Sequence, residues 1–469
     1  MPASSEVPLL PTNRRGFLKA AGAAVVAAGS PYVAPSSVFG KAAPSNRINV
    51  GVIGLGTRGI PDMKVFMNNE DVQIRAICDV NTASDGYRDE VTVMGREPAL
   101  QMANEYYGAK RKTGAYEGVV ATSDFREVLS RDDIDAVAIV VPDHWHAPMT
   151  ILAANAGKDI FCQKPLTLTL GEGRDMINAV RSNQRILQTA SQYRSHCRAR
   201  HACELVRNGR IGELKSMRVR IGYNNKVGPG PGWEPMPVPD GFLYDRWLGP
   251  APAAPYHEKR CIYKFRFNTD YSGGQATNLG AHAIDLAQWG NDSSLTGPVE
   301  VEGIGAKWPP EGSLFNTALE SSFRARYANG VELLCESSPE DMGVRFEGTE
   351  GWIEFVLNGG VFRSSSQTLQ TAVLSADEVR LPVSNPARSF QEPGDFYADH
   401  VRNFLDCVRT REEPLEPVEV GHRTASVCHL WNIAIQRLGK KLAWDPDQEA
   451  FTNDEQANRM RTRPARDWT

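Results

Sequence analysis

Gly54, Gly56 and Gly59 follow a short apolar run at 50–53, reading Gly-Leu-Gly-Thr-Arg-Gly, and Asp79 closes the next apolar run 20 positions after Gly59. Strand, glycine turn, helix, strand and terminal acid in that order form the layout of a dinucleotide-binding βαβ unit. Gly54 permits the tight turn, Gly56 admits a pyrophosphate to the backbone, and Gly59 lets the helix sit close on its sheet. Thr57 and Arg58 complete the turn, and the helix N-terminus beyond them offers unpaired N–H groups to phosphate. Asp79 accepts hydrogen bonds from the adenosine ribose hydroxyls and repels a 2′-phosphate, so the expected cofactor is NAD; Arg58 leaves room for NADP.

A second set of groups suits proton transfer. Cys162-Gln163-Lys164-Pro165 ends a strand on the rim where an open α/β sheet binds ligands. A lysine there reaches a substrate hydroxyl beside the nicotinamide, and partial desolvation lowers its pKa into a useful range. Read locally, it is equally a surface lysine that ends a strand. Downstream, Ser272-Gly273-Gly274-Gln275-Ala276-Thr277-Asn278 runs on to His282 and Asp285. A helix from about Gln275 places Asn278, His282 and Asp285 on one face at i, i+4 and i+7. That face is a hydrogen-bonding wall for a polyhydroxylated molecule, with His282 as general base. Taken alone, His282 reads better as a satisfied histidine under a glycine-rich turn.

These groups need a scaffold. The runs at 50–53, Val72–Cys78, 136–141 and Asp159–Cys162 are short and apolar, as buried parallel strands are. Residues 82–118 read as a helix plus a loop, 171–183 as a helix and 185–190 as one further strand. After about Ser195 the period changes. Residues 214–221 and 318–327 alternate like half-buried strands, Asn329-Gly330 marks a hairpin, and 348–351 separates two more strand-like runs. The fold class is therefore α/β: an N-terminal Rossmann domain over 46–194, then an α+β domain over 195–442 with a large, mainly antiparallel sheet. Between the strands, 224–268 is rich in Pro, Gly and Trp, the composition of a functional loop or an assembly arm. Residues 396–408 and 420–438 read as closing amphipathic helices and 445–469 as a polar tail.

The glycine turn, Lys164-Pro165 and the Gly-x₇-His-x₂-Asp segment together resemble the glucose–fructose oxidoreductase / inositol dehydrogenase (Gfo/Idh/MocA) family, from about Asn46 to Leu442. The likeness includes Val141-Pro142-Asp143-His144-Trp145-His146 and Gln192-Tyr193-Arg194. It implies a C-terminal sheet whose open face pairs subunits in a homo-oligomer, and a substrate held between nicotinamide and sheet. It further implies Lys164 and His282 as catalytic groups, Pro142, His146 and Gln192 against the cofactor, and Asn278, Asp285 and Arg194 toward the substrate. Two departures stand out. Gln163 replaces the family's glutamate before Lys-Pro, and Asn278 replaces a carboxylate four residues before the histidine. Without that charge His282 is a weaker base, and Lys164 or Asp285 takes a larger share.

Near the N-terminus, Asn13-Arg14-Arg15-Gly16-Phe17-Leu18-Lys19 precedes a mildly apolar stretch and resembles a twin-arginine export signal over 1–42, recognised by the twin-arginine machinery and placing the protein in the periplasm or medium. The stretch is far shorter than the roughly 20 residues a membrane helix needs, so no stable anchor is expected. Beyond 42 the chain keeps 48 basic and 55 acidic residues, a net charge of −7, which speaks against nucleic acid. Eight scattered cysteines without a Cys-x-x-Cys pair read as buried thiols, and no metal site is expected.

The first functional expectation is an exported NAD(P)-dependent oxidoreductase of a sugar or cyclic polyol, its cofactor tightly held because free NAD is scarce outside the cytoplasm. The closest rival is redox-neutral glycoside cleavage or epimerisation, as in NAD-dependent α-N-acetylgalactosaminidases. A third is a non-catalytic sugar-binding protein on the same fold.

Overall fold

The computed structural model describes residues 46–87, 91–111, 113–223 and 226–468. The export motif lies outside them. Six parallel strands, β1 (Ile48–Ile53), β2 (Val72–Cys78), β3 (Val120–Thr122), β4 (Ala136–Ile139), β5 (Asp159–Cys162) and β6 (Leu187–Thr189), form one sheet in the order β3-β2-β1-β4-β5-β6. Val50, Val52, Ile74, Val137 and Ile139 are fully buried, as strands covered on both faces must be. The order reverses at β1, which opens a crevice beyond the carboxyl ends of β1 and β4. β3 is the strand that hydropathy does not announce: it has three residues, and Val120 is exposed.

One face of this sheet carries helices Gly59–Met67 and Arg96–Ala109, together with Phe396–Thr410 from far along the chain. Phe66 meets Phe161 edge-on there with centroids 5.5 Å apart, and Phe404 lies tilted against Phe161 at 5.6 Å. The other face carries Phe125–Leu129, Asp143–Asn155 and Leu170–Ser182.

A second sheet has nine strands: β7 (Leu214–Arg220), β8 (Glu300–Lys307), β9 (Glu320–Arg326), β10 (Glu332–Glu336), β11 (Gly343–Gly348), β12 (Trp352–Val356), β13 (Val361–Ser364), β14 (Lys441–Asp445) and β15 (Ala450–Phe451). Their order is β13-β12-β11-β7-β10-β9-β8-β14-β15; β7 and β10 run parallel and the other pairs antiparallel. Inward Phe323, Ala325, Leu333, Cys335, Val344 and Phe346 are buried beneath helices Cys197–Arg207, Gly280–Gly290 and Val418–Gln436, as period-2 alternation requires. Trp431 stacks on Phe323 at 6.2 Å.

The described residues from Ile48 on pack as one compact unit, in which Phe396–Thr410 completes the core of the first sheet. The expected polar tail over 445–469 is instead structured: it holds β15, helix Glu455–Arg459 and a final segment that reaches the first sheet's helices through Trp468. Phe451, Ala457 and Trp468 are too widely spaced to register as a periodic pattern. All eight cysteines are buried and unpaired. No helix among the described residues is long and apolar enough to cross a membrane.

Candidate active site

A cavity of about 490 Å³ opens beyond the carboxyl ends of the first sheet's strands. Its floor is the glycine turn. Gly54 has φ +91°, and a Cβ there would lie 2.1 Å from the Val140 carbonyl oxygen; one on Gly59 would lie 1.9 Å from the Gly54 oxygen. Only glycine closes this turn and seats the helix on it. Thr57 Oγ1 donates to the Tyr87 carbonyl at 2.5 Å. The Asp79 carboxylate, at the end of β2, accepts from Leu55 N at 2.6 Å and Asn81 N at 2.8 Å. Burial raises its pKa while those N–H donors oppose the rise. Each oxygen keeps a further lone pair for a ribose hydroxyl. The turn and acid thus fit NAD. Arg58 pairs with Asp62 at 2.8 Å and lies 3.8 Å over the Tyr397 ring, so its charge is committed away from a 2′-phosphate beside Asp79.

The end of the cavity beyond β2 and β3 is aromatic. Phe125 and Trp145 line it, and Trp468 packs edge-on against Trp145 at 4.7 Å, with Arg126 5.8 Å from the Trp468 ring. Arg466 fixes that segment: it donates to the Gly249 carbonyl at 2.9 Å and pairs with Asp245 at 2.5 Å. Asp245, Trp247 and Gly249 belong to the 224–268 region, whose described part walls the cavity of its own chain.

Toward β5, Lys164 Nζ donates to the Asn278 carbonyl at 2.7 Å and to Asn278 Oδ1 at 2.8 Å. Asn278 Nδ2 in turn donates to Gln275 Oε1 at 2.7 Å, which fixes the amide orientation. Asp143 begins the helix after β4 and accepts from Ser272 Oγ at 2.5 Å. Burial raises Asp143 to about 6, against the Ser272 hydrogen bond and the charges of Lys164 and Arg266. Burial, then the Arg266 charge, lowers Lys164 to about 7, with Asp143 opposing. A carboxyl and an amine are thereby both drawn toward neutrality within one cavity. Gln163 donates to the buried Asp62 at 2.7 Å, so a glutamate at this position would set two carboxylates together.

His282 lines the cavity, and its Nδ1 is buried without a hydrogen-bond partner. Burial, Lys164 and Arg58 hold its pKa well below the usual histidine value. No carboxylate stands among the charges that act on it.

Of the other sequence-derived residues, Pro142 and Gln192 line the cavity. His146 does not: its ring nitrogens lie 2.7 Å from the Pro165 oxygen and 2.9 Å from the Val141 oxygen, and burial lowers its pKa to about 4. It ties the β4 and β5 loops together. Asp285 and Arg194 are likewise removed from the cavity, locked in a buried pair in which Arg194 Nη2 lies 2.6 Å from Asp285 Oδ1 and Nε 2.9 Å from it. Asn278, in Gly274–Asn278, and His282, in Gly280–Gly290, share the cavity as expected, and only Asp285 departs from that face, turned to the guanidinium. Asp143, Arg266 and Trp468 were not singled out as functional by sequence. Only Asp143 carries a local signal, its place directly after Pro142 at a helix start.

The profile for the oxidoreductase family's NAD-binding Rossmann fold (Gfo/Idh/MocA) matches residues 48–191, and that for its C-terminal alpha/beta domain matches 204–469. Similar sequences include a glycosyl hydrolase family 109 protein of Shewanella baltica, 32% identical over 219 residues, covering 43% of this chain and 44% of the relative. An alpha-N-acetylgalactosaminidase of Shewanella oneidensis is 33% identical over 217 residues, with the same coverage of 43% and 44%. The match thus spans less than half the length of these relatives. Similar structures include the aldose–aldose oxidoreductase of Caulobacter crescentus, with TM-score 0.56, 19% identity, and coverage of 85% of this chain and 99% of that one. A levoglucosan dehydrogenase in complex with NADH and levoglucosan gives TM-score 0.55, 19% identity, and coverage of 83% and 98%. At that identity the likeness is one of fold.

Proposed function

The chain belongs to the Gfo/Idh/MocA oxidoreductase family, and we propose that it transfers hydride between a secondary alcohol of a sugar or cyclic polyol and a retained NAD. The carrying observation is the Lys164–Asn278 clasp, with Asp143 and His282 beside it, at the β5 end of the NAD site. NAD supplies the two-electron acceptor. Lys164, partly unprotonated near neutral pH, takes the hydroxyl proton as the carbinol carbon loses hydride, so alcohol becomes ketone and the proton rests on Nζ. Asn278 fixes that nitrogen at two points, which lowers the reorganisation the step requires. His282 hydrogen-bonds a neighbouring hydroxyl.

A second reading is redox-neutral glycoside cleavage, in which transient oxidation acidifies an adjacent C–H and hydride later returns. Asp143 favours it. A carboxyl drawn up to about 6 beside the base can protonate a departing glycosidic oxygen. The names of the Shewanella relatives point the same way. Both readings fit an exported protein whose cofactor never leaves.

The test begins with protein purified without added nucleotide, then denatured and assayed for NAD(H). Near-stoichiometric release supports retention. Absorbance at the nicotinamide band is then followed with single sugars, with sugar pairs and with nitrophenyl glycosides. Sugar-dependent reduction that is lost in Lys164→Ala supports the first reading, and aglycone release without net NADH supports the second. Sugar binding with neither an absorbance change nor aglycone release, in wild type and Lys164→Ala alike, would overturn both.

A further inference from the structure

Arg266 lies in the 3₁₀ turn Lys264–Phe267 and faces the cavity beside Lys164 and Asn278. It forms no ion pair among the described residues, unlike Arg58 and Arg194, which hold Asp62 and Asp285. Its guanidinium carbon lies 3.8 Å over the Tyr263 ring, so one face is covered, and its Nε is buried with no hydrogen-bond partner. The Phe265 ring lies 5.3 Å from the same carbon, Tyr263 also hydrogen-bonds the side chain, and Asp143 is the carboxylate whose charge acts on it, while the residue itself lines the cavity.

Burial makes the charge of this guanidinium costly. The Arg266 charge opposes that of Lys164, and Asp143, itself raised by burial, is the nearby carboxyl that favours both cations. Oxidised NAD, held by the glycine turn, would add further positive charge to this cavity. A buried, unpaired guanidinium is disfavoured by desolvation, and a bound anion offsets that. We propose that Arg266 is a specificity residue for a substrate carboxylate, so the sugar taken by this site is an acidic one of the uronate type. This rests on the sugar-oxidoreductase reading above. A planar carboxylate can pair with a guanidinium through two parallel N–H···O bonds, which a hydroxyl cannot form.

The same anion chemistry is available from the dinucleotide's pyrophosphate. Position separates the two. Arg266 accompanies Lys164 at the β5 end, whereas the glycine turn sits after β1 and has its own backbone donors.

The experiment compares galacturonate and glucuronate with galactose, glucose and methyl galacturonate, a near-isosteric ester without the charge. Binding to the NAD-loaded protein is read by calorimetry, and turnover by nicotinamide absorbance. At least one uronate should bind about tenfold or more tighter than its neutral counterparts, with a preference that weakens as salt is raised. In Arg266→Gln the ratio of affinities should fall to about one, and Arg266→Lys should keep part of it. The wild-type comparison stands even where a variant folds poorly. Equal affinity for acid and ester, or no binding of either uronate, would overturn the inference; reduction of the cofactor by neutral sugars in the same assay would leave the oxidoreductase reading standing. If Arg266→Gln instead weakens NAD tenfold and leaves the uronate preference intact, the anion is the cofactor's phosphate and the inference fails.

Discussion

Lys164 Nζ sits 2.7 Å from the backbone oxygen and 2.8 Å from the side-chain oxygen of Asn278, so a neutral amide holds the candidate base where a carboxylate would be expected. An aspartate at that distance would stabilise the ammonium form. Asn278→Asp should raise the Lys164 pKa and carry the alkaline-rising limb of kcat/KM for alcohol oxidation upward, by roughly one to three pH units. A pH–rate profile of both proteins checks this; superimposable limbs would remove Lys164 from the role of base.

Asp143 acts on the same limb with the opposite sign. Its charge helps hold up the Lys164 pKa, which burial and Arg266 bring down to about 7. Asp143→Asn should therefore move the limb to lower pH. For glycoside cleavage the same substitution removes the proton donor, and the fall in rate as pH rises through about 6 should disappear with it. Because the two groups interact, the limbs report the pair rather than single residues.

Lys164 and His282 should not be equal partners. Lys164→Met is expected to lower kcat by roughly 10² to 10⁴, the span of general base catalysis. His282→Gln keeps a polar group without a basic nitrogen, and should cost about tenfold or less, with no shift of the limb near pH 7. Steady-state kinetics of the two variants decides. A larger loss in His282→Gln would return the base to the histidine.

The wall made by Trp468 should govern cofactor retention. Trp468→Ala removes the ring packed 4.7 Å from Trp145, and Arg466→Ala removes the pair with Asp245 that fixes the segment. Each should hasten NAD release by roughly three- to tenfold, measured by gel filtration against time, while the pH profile of the loaded enzyme stays in place. Retention equal to wild type in both variants would mean that the wall does not contact the nucleotide.

What could be read from sequence was what neighbouring residues decide. Gly54 and Gly59 are required by the local path of the chain, and β1 and β5 are near-continuous apolar runs, so the dinucleotide turn and the strand that leads into Lys164 stood out. Asp285 was misplaced because helical spacing says nothing of a guanidinium 91 positions earlier that captures it. His146 was misplaced for a similar reason: two backbone carbonyls from separate loops surround its ring. Asp143 was quoted in its motif without a role, since only the fold brings Ser272 and Lys164 to it.

The contact of Trp468 with Phe125 and Trp145 joins parts of the chain more than 320 residues apart. An N-terminal fragment that folded alone would carry the glycine turn and lack this wall, so nucleotide affinity becomes a reporter of whether the whole polypeptide has assembled. By linkage, a ligand that binds only the finished state stabilises all of it. Saturating NAD should therefore delay the melting of both sheets together, as one cooperative transition, rather than protecting the parallel sheet and leaving the nine-stranded one behind.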